Sequence, residues 1–138
     1  MNKLFALTVI VCFLFVACWP TMLPSRTIYL SPPPDVLFDA GIAIVKDMGF
    51  TITKAAKEPR QTIGGQVFRD VEKWTVPYFM AEIKDGTSAG VITVRFEFNR
   101  KNVDTITRID ISDSDPKSKV ANLEIIYKEI VSRLRAVK

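Results

Sequence analysis

The sequence predicts an α+β domain in which an antiparallel sheet of about five or six strands is packed by two helices, in the order β-α-β(4-5)-α. Three observations carry that expectation. Val91 to Asn99 alternates strictly, with Ile92, Val94, Phe96 and Phe98 on one side and Thr93, Arg95 and Glu97 on the other, which is the period of a half-buried strand. Leu37, Ala40, Gly41, Ile44 and Met48 recur at helical spacing, and Val120, Leu123, Ile126, Tyr127, Ile130, Leu134 and Val137 form a second stripe near the end of the chain. Strands gathered between two helices, instead of alternating with them, belong to an α+β layer.

The elements follow in order. Arg26 to Leu30 reads as a strand with Ile28 and Leu30 on one face, and Ser31 to Pro34 stops it. Asp35 to Met48 is the first helix, with Gly49 placed as its C-terminal cap. Gly41 inside it costs about 1 kcal/mol of helix propensity, so a close approach of this helix to the sheet is expected there. Phe50 to Ala56 begins the strand-rich middle, Glu58 to Gln61 turns, and Ile63, Gly65 and Val67 share the parity of another strand. Tyr78 to Lys84 is the next, with Phe79, Ala81 and Ile83 together, and Asp85 to Gly90 makes a loop. After Val91 to Asn99, a polar turn over Asn99 to Asn102 leads to Val103 to Ile111, with Thr107, Ile109 and Ile111 inward. Ile106 breaks that alternation and reads as a bulge or an exposed contact. Asp115 is a good N-cap and Pro116 suits a first helical position, so the closing helix is expected from Pro116 to about Ala136. There is no internal repeat, low-complexity segment or second domain.

Composition narrows the function classes. Nineteen basic residues against fifteen acidic ones leave a net charge of +4. They are scattered, as on solvated strand faces where Lys54, Arg69, Lys84 and Arg95 alternate with acids, whereas a nucleic-acid reader concentrates them on one stripe with stacking aromatics. A nucleic-acid partner is not expected. The chain has no His, which removes the usual proton-transfer group near neutral pH and the commonest metal ligand. Ser residues have no His to activate them, and the carboxylates Glu72 and Glu82 sit in no catalytic context. Asp110, Asp113 and Asp115 suggest a calcium loop, but Ile111 and Lys117 break the spacing such a loop requires. Gly64, Gly65 and Gln66 spell the tripeptide of peptide-chain release factors, and read here as a glycine-relaxed strand or bulge. The expectation is a non-enzymatic protein with no cofactor and no metal.

The start of the chain states an address. Lys3, the apolar run Leu4 to Ala17 and then Cys18 have the layout of an export signal. Phe15 occupies the third position before a cut after Ala17, where ordinary cleavage wants a small residue. The string Phe15-Val16-Ala17-Cys18 resembles the lipobox of bacterial lipoproteins, departing from it at Phe15, although Leu14 lies one residue earlier. That resemblance implies removal of residues 1–17 as a signal peptide and attachment of a diacylglyceryl group to Cys18. By the same resemblance to lipoproteins, in which an Asp after the Cys favours the inner membrane, Trp19 implies the outer membrane, facing the periplasm, over the inner one. An uncleaved anchor and simple secretion stay open; the anchor would extend the apolar run across Pro20 and Pro24 toward the about 20 residues a spanning helix needs. With Cys12 in the leader and Cys18 lipidated, no disulfide is left to the folded part, so apolar packing must stabilise it.

Residues 18–25 would then be the lipidated Cys and a short tether, and 26–138 a single globular domain. Seven tether residues reach at most about 25 Å. The order of elements from Arg26 to Val137 resembles small envelope lipoproteins with helix-grip domains, of the BamC type, and this implies binding or scaffolding beside another envelope protein. Trp74, Val76, Tyr78 and Met80 share one parity opposite Phe79, Ala81 and Ile83, so this segment is apolar on both faces. Those four residues are the candidate partner or ligand surface. The alternative function is a periplasmic carrier of a lipid or small apolar ligand held between sheet and helix.

Overall fold

A computed structural model describes residues 19–57, 77–84, 86 and 90–138. Its elements are β1 (Thr21–Met22), β2 (Arg26–Leu30), α1 (Pro34–Asp47), β3 (Thr51–Ala56), β4 (Tyr78–Lys84), β5 (Val91–Lys101), β6 (Asp104–Asp113) and α2 (Val120–Arg135). The strands form one antiparallel sheet of order β1-β6-β5-β4-β3, with β2 also paired to β6. Because β5 occupies one edge of β6 from Asp104 to Asp113, β1 and β2 lie in succession along the other. Leu23 continues that ladder between them, its N–H donating to the Ile111 carbonyl at 3.0 Å. The fold class is α+β, as the patterning predicts. The expected strand over Ile63 to Val67 and the turn over Glu58 to Gln61 lie outside the described residues.

The alternation of β5 sets the core. Phe79 of β4 and Phe96 and Phe98 of β5 are fully buried, with Phe79 stacked on Phe96 at 4.6 Å between centroids and Phe38 of α1 meeting Phe79 edge-on at 5.9 Å. Leu37 and Val45 of α1 and Leu123, Ile130 and Leu134 of α2 close over the same face with no exposed surface. Each such side chain contributes roughly 1.5–3 kcal/mol by leaving water.

Both glycine expectations for α1 hold. A Cβ at Gly41 would lie 2.9 Å from Phe79 Cε1, so its absence lets the helix sit directly on the ring. Gly49 has φ 94°, and its N–H donates to the Lys46 carbonyl while that of Phe50 donates to Val45, the paired bonds of a Schellman cap.

Several local expectations are corrected. The sheet starts at Thr21, and Leu23 is 4% exposed within the core, so most of the stretch read as tether is folded. The closing helix begins at Val120, not Pro116. Asp115 accepts the Lys117 N–H in a tight turn instead of capping a helix, and Lys119, at the N-cap position, makes no side-chain cap. Val120, placed on the buried stripe, is half exposed, and Val131 is buried in addition to the stripe. Ile106 pairs regularly with Tyr29 and Asn99 and lies half-exposed on the outward parity, so of its two readings the bulge falls and the exposed contact stands; the register shift is in β3, between Ile52 and Lys54.

Candidate functional site

With both helices on one face, the sheet presents its other face outward, and strand register arranges that face in rows. Met80 lies beside Arg95 and Arg95 beside Asp110; Tyr78 lies beside Glu97 and Glu97 beside Arg108. Thr93, Ser112 and Met22 make the neighbouring row. The two-residue Asn102–Val103 loop fixes this register through the Lys101–Asp104 pair, with Asn102 in the left-handed region at φ 59°.

The register assembles an ionic ladder across β5 and β6. Arg95 pairs with Glu97, and Arg108 approaches Glu97 at 3.8 Å and Asp110 at 3.5 Å. Arg108 Nε also donates to the Ser25 hydroxyl at 2.8 Å, tying the linker between β1 and β2 to the face. Glu97 is 8% exposed. A carboxylate this deep needs its two arginine partners, because removing one partner of a buried pair costs far more than the pair itself contributes. Arg108, with a side chain 48% exposed, keeps donors turned to solvent.

Beside the ladder runs an open groove of about 350 Å³, floored by Thr93 and Ser112, flanked by Arg95 and Arg108, and closed at its ends by Met22 and Met80. Methionine is unbranched and polarisable, so it adapts to varied apolar shapes. Between two such side chains and a fixed guanidinium row, the groove suits a segment that pairs an apolar side chain with a carboxylate or backbone carbonyls.

Of the four residues expected at a binding surface, Tyr78 and Met80 lie half-buried on this face, with Met80 lining the groove; Trp74 and Val76 lie outside the described residues. Cys18 does also. The contributions of Met22, Arg108 and Asp110 go beyond the expectation, since they come from other strands and depend on a register that one strand's parity cannot reveal. Asp113, weighed as a cation ligand, points into the fold: it is fully buried and its Oδ1 accepts the Asp115 N–H at 2.9 Å. Among the described residues no group of three or more acids or cysteines is placed to hold a metal.

On the helix side, Arg26 reaches α2 and pairs with Glu124 through both terminal guanidinium nitrogens, while the Tyr127 ring lies 4.6 Å from its Cζ. The hydrogen bond from Arg26 holds the Glu124 carboxyl below its ordinary range, and the same bond raises Arg26. Arg133 is raised by its bonds to Glu129, one turn back in α2, and to Asp47, the second of which joins the last turns of the two helices. These pairs fasten elements together and stand apart from the groove.

No known protein family, curated protein or solved structure matches this chain. The fold and the open face are therefore what a functional reading rests on.

Proposed function

We propose that this chain is a lipoprotein of the bacterial cell envelope, anchored through Cys18 on the periplasmic side of the outer membrane, and that it acts without catalysis by binding another envelope protein. The observation that supports the binding role is the groove between Met22 and Met80, where apolar and ionic groups stand in fixed register on four strands. The rings of Phe79, Phe96 and Phe98 occupy the described space between sheet and helices, which favours binding on the outer face over an apolar ligand carried inside. The anchor reading is supported by the Leu4 to Ala17 run followed by Cys18. Among the described residues no helix is long and apolar enough to cross a membrane.

The test is site-specific photocrosslinking in the native envelope. A photoreactive residue at position 80 is expected to give one discrete protein adduct, and Met22→Asp, at the other end of the groove and outside the ion ladder, is expected to abolish it while the same group at position 125, on the exposed side of α2, gives none. An adduct at position 80 that is indifferent to Met22→Asp, or equal labelling from both positions, refutes the binding face.

A further inference from the structure

The tether between the anchor and the sheet is only two residues long. Trp19 and Pro20 separate Cys18 from Thr21, which is already paired with Asp113 in the sheet. Three residue steps span at most roughly 11 Å. A domain held so closely cannot present every face to a membrane, and the end of the sheet that holds Thr21 must stay beside the anchor.

That end has a definite chemistry. The Thr21 hydroxyl donates to the carbonyls of Asp115 and Ser118, at 3.0 and 3.2 Å, so the loop leading into α2 lies against the point where the chain leaves the fold. Lys117 and Lys119 on this loop are exposed. The first turn of α2 has no acidic residue and no side-chain cap, leaving the positive end of the helix dipole unopposed. Of the nearby acids, Asp113 is buried and Glu124 is paired with Arg26, so Asp115, whose carboxylate accepts the Lys117 N–H, is the one acid set against the two lysines on this loop. Trp19 is 73% exposed and follows directly on Cys18, the lipid site of the anchor reading, which puts its ring at the depth where aromatic side chains settle among lipid headgroups. Val120, 49% exposed, adds apolar surface beside the lysines.

We infer that this end of the domain, formed by Trp19, Lys117, Lys119 and Val120, is a membrane-docking face that seats on anionic phospholipid headgroups. The inference rests on the anchor reading and adds an orientation to it: α2 meets the bilayer with its N-terminus, and the β5–β6 turn points away. Val103, in that turn and 79% exposed, stands at the far end of a ten-residue strand, about 30 Å from the docking face.

The experiment uses the full chain reconstituted into phosphatidylcholine vesicles with and without phosphatidylglycerol, containing a phospholipid that carries a nitroxide on its headgroup. In a Trp19→Phe/Trp74→Phe background, Val120→Trp and Val103→Trp each place one fluorescent reporter on the surface, where neither disturbs the core. With phosphatidylglycerol the reporter at position 120 is expected to be quenched severalfold more than that at 103. Lys117→Gln/Lys119→Gln should weaken the docked state about 30-fold, at roughly one elementary-charge contact of headgroup attraction per lysine. Equal quenching at the two positions, or quenching at 120 that ignores both phosphatidylglycerol and the lysines, overturns the docking face. Flotation of the chain with the vesicles separates the two readings. A chain that floats with an unquenched reporter at 120 overturns the orientation alone, and one that does not float overturns the anchor as well.

Discussion

Replacing Gly41 by Ala should destabilise this protein, against the usual sign of such a change. Inside a helix, Gly→Ala ordinarily gains about 1 kcal/mol of propensity. Here the new Cβ would fall 2.9 Å from Phe79 Cε1, 3.2 Å from its Cζ and 3.4 Å from Phe98 Cζ. Phe79 has nowhere to retreat, since it is fully buried, stacked on Phe96 and abutted by the edge of Phe38. Overpacking of this kind costs about 1–3 kcal/mol, so the net effect is a loss of about 1 kcal/mol, with 2 as the upper end. Urea denaturation of residues 19–138, followed by far-UV circular dichroism, measures it. A double-mutant cycle isolates the cause: Phe79→Leu removes the ring atoms in the way, and in that background Gly41→Ala should become stabilising by up to about 1 kcal/mol. A Gly41→Ala protein more stable than the parent, or a cycle with no coupling, would refute the close approach of α1 to β4.

Two further predictions concern the cap and the ion pair. Gly49→Ala should cost about 1 kcal/mol, read as a lower thermal midpoint, because Gly49 holds φ 94° in the Schellman cap and a Cβ would also press Ile83 at 3.3 Å. The folded-state depression of the Glu124 carboxyl by Arg26 makes a contribution to stability that is complete above the ordinary carboxylate range and is lost as pH falls through the lowered value. The gap in urea midpoint between the parent and Glu124→Gln should therefore close on acidification below about pH 4, and a gap independent of pH would show that this pair is not its source.

How much of this was legible in the sequence differs by element. The β5 strand was readable because Ile92, Val94, Phe96 and Phe98 never break parity, and α1 because its apolar spacing ends on a glycine able to take positive φ. β1 was not. Its residues Thr21 and Met22, among the three between Pro20 and Pro24, carry no periodicity, and only the free edge of β6 makes a strand of them. The start of α2 misled for a local reason: Asp115-Pro116 has the chemistry of a helix cap, but the Asp115 carboxylate takes the Lys117 N–H and the Asp115 carbonyl takes that of Ser118, closing a turn first. On the candidate face, parity placed Tyr78 and Met80 together. The ladder of Arg95, Glu97, Arg108 and Asp110 needed the register of the β5–β6 hairpin, which a two-residue loop sets and which one strand cannot announce.

The division of the edge strand into β1 and β2 has a mechanical consequence. A pull applied to the chain ahead of Thr21 enters the fold through two residue pairs, Thr21 with Asp113 and Met22 with Ser112, the bond from Leu23 to Ile111 and the Thr21 hydroxyl. Beyond Ser25 the load meets five pairs in β2 and the grip of Arg26 on Glu124. The first segment would peel before the second, releasing Thr21 to Ser25 as five residues of slack, roughly 17 Å. A domain built this way lengthens under tension at the cost of Leu23 alone from its core, while the layer of Phe79, Phe96 and Phe98 stays shut.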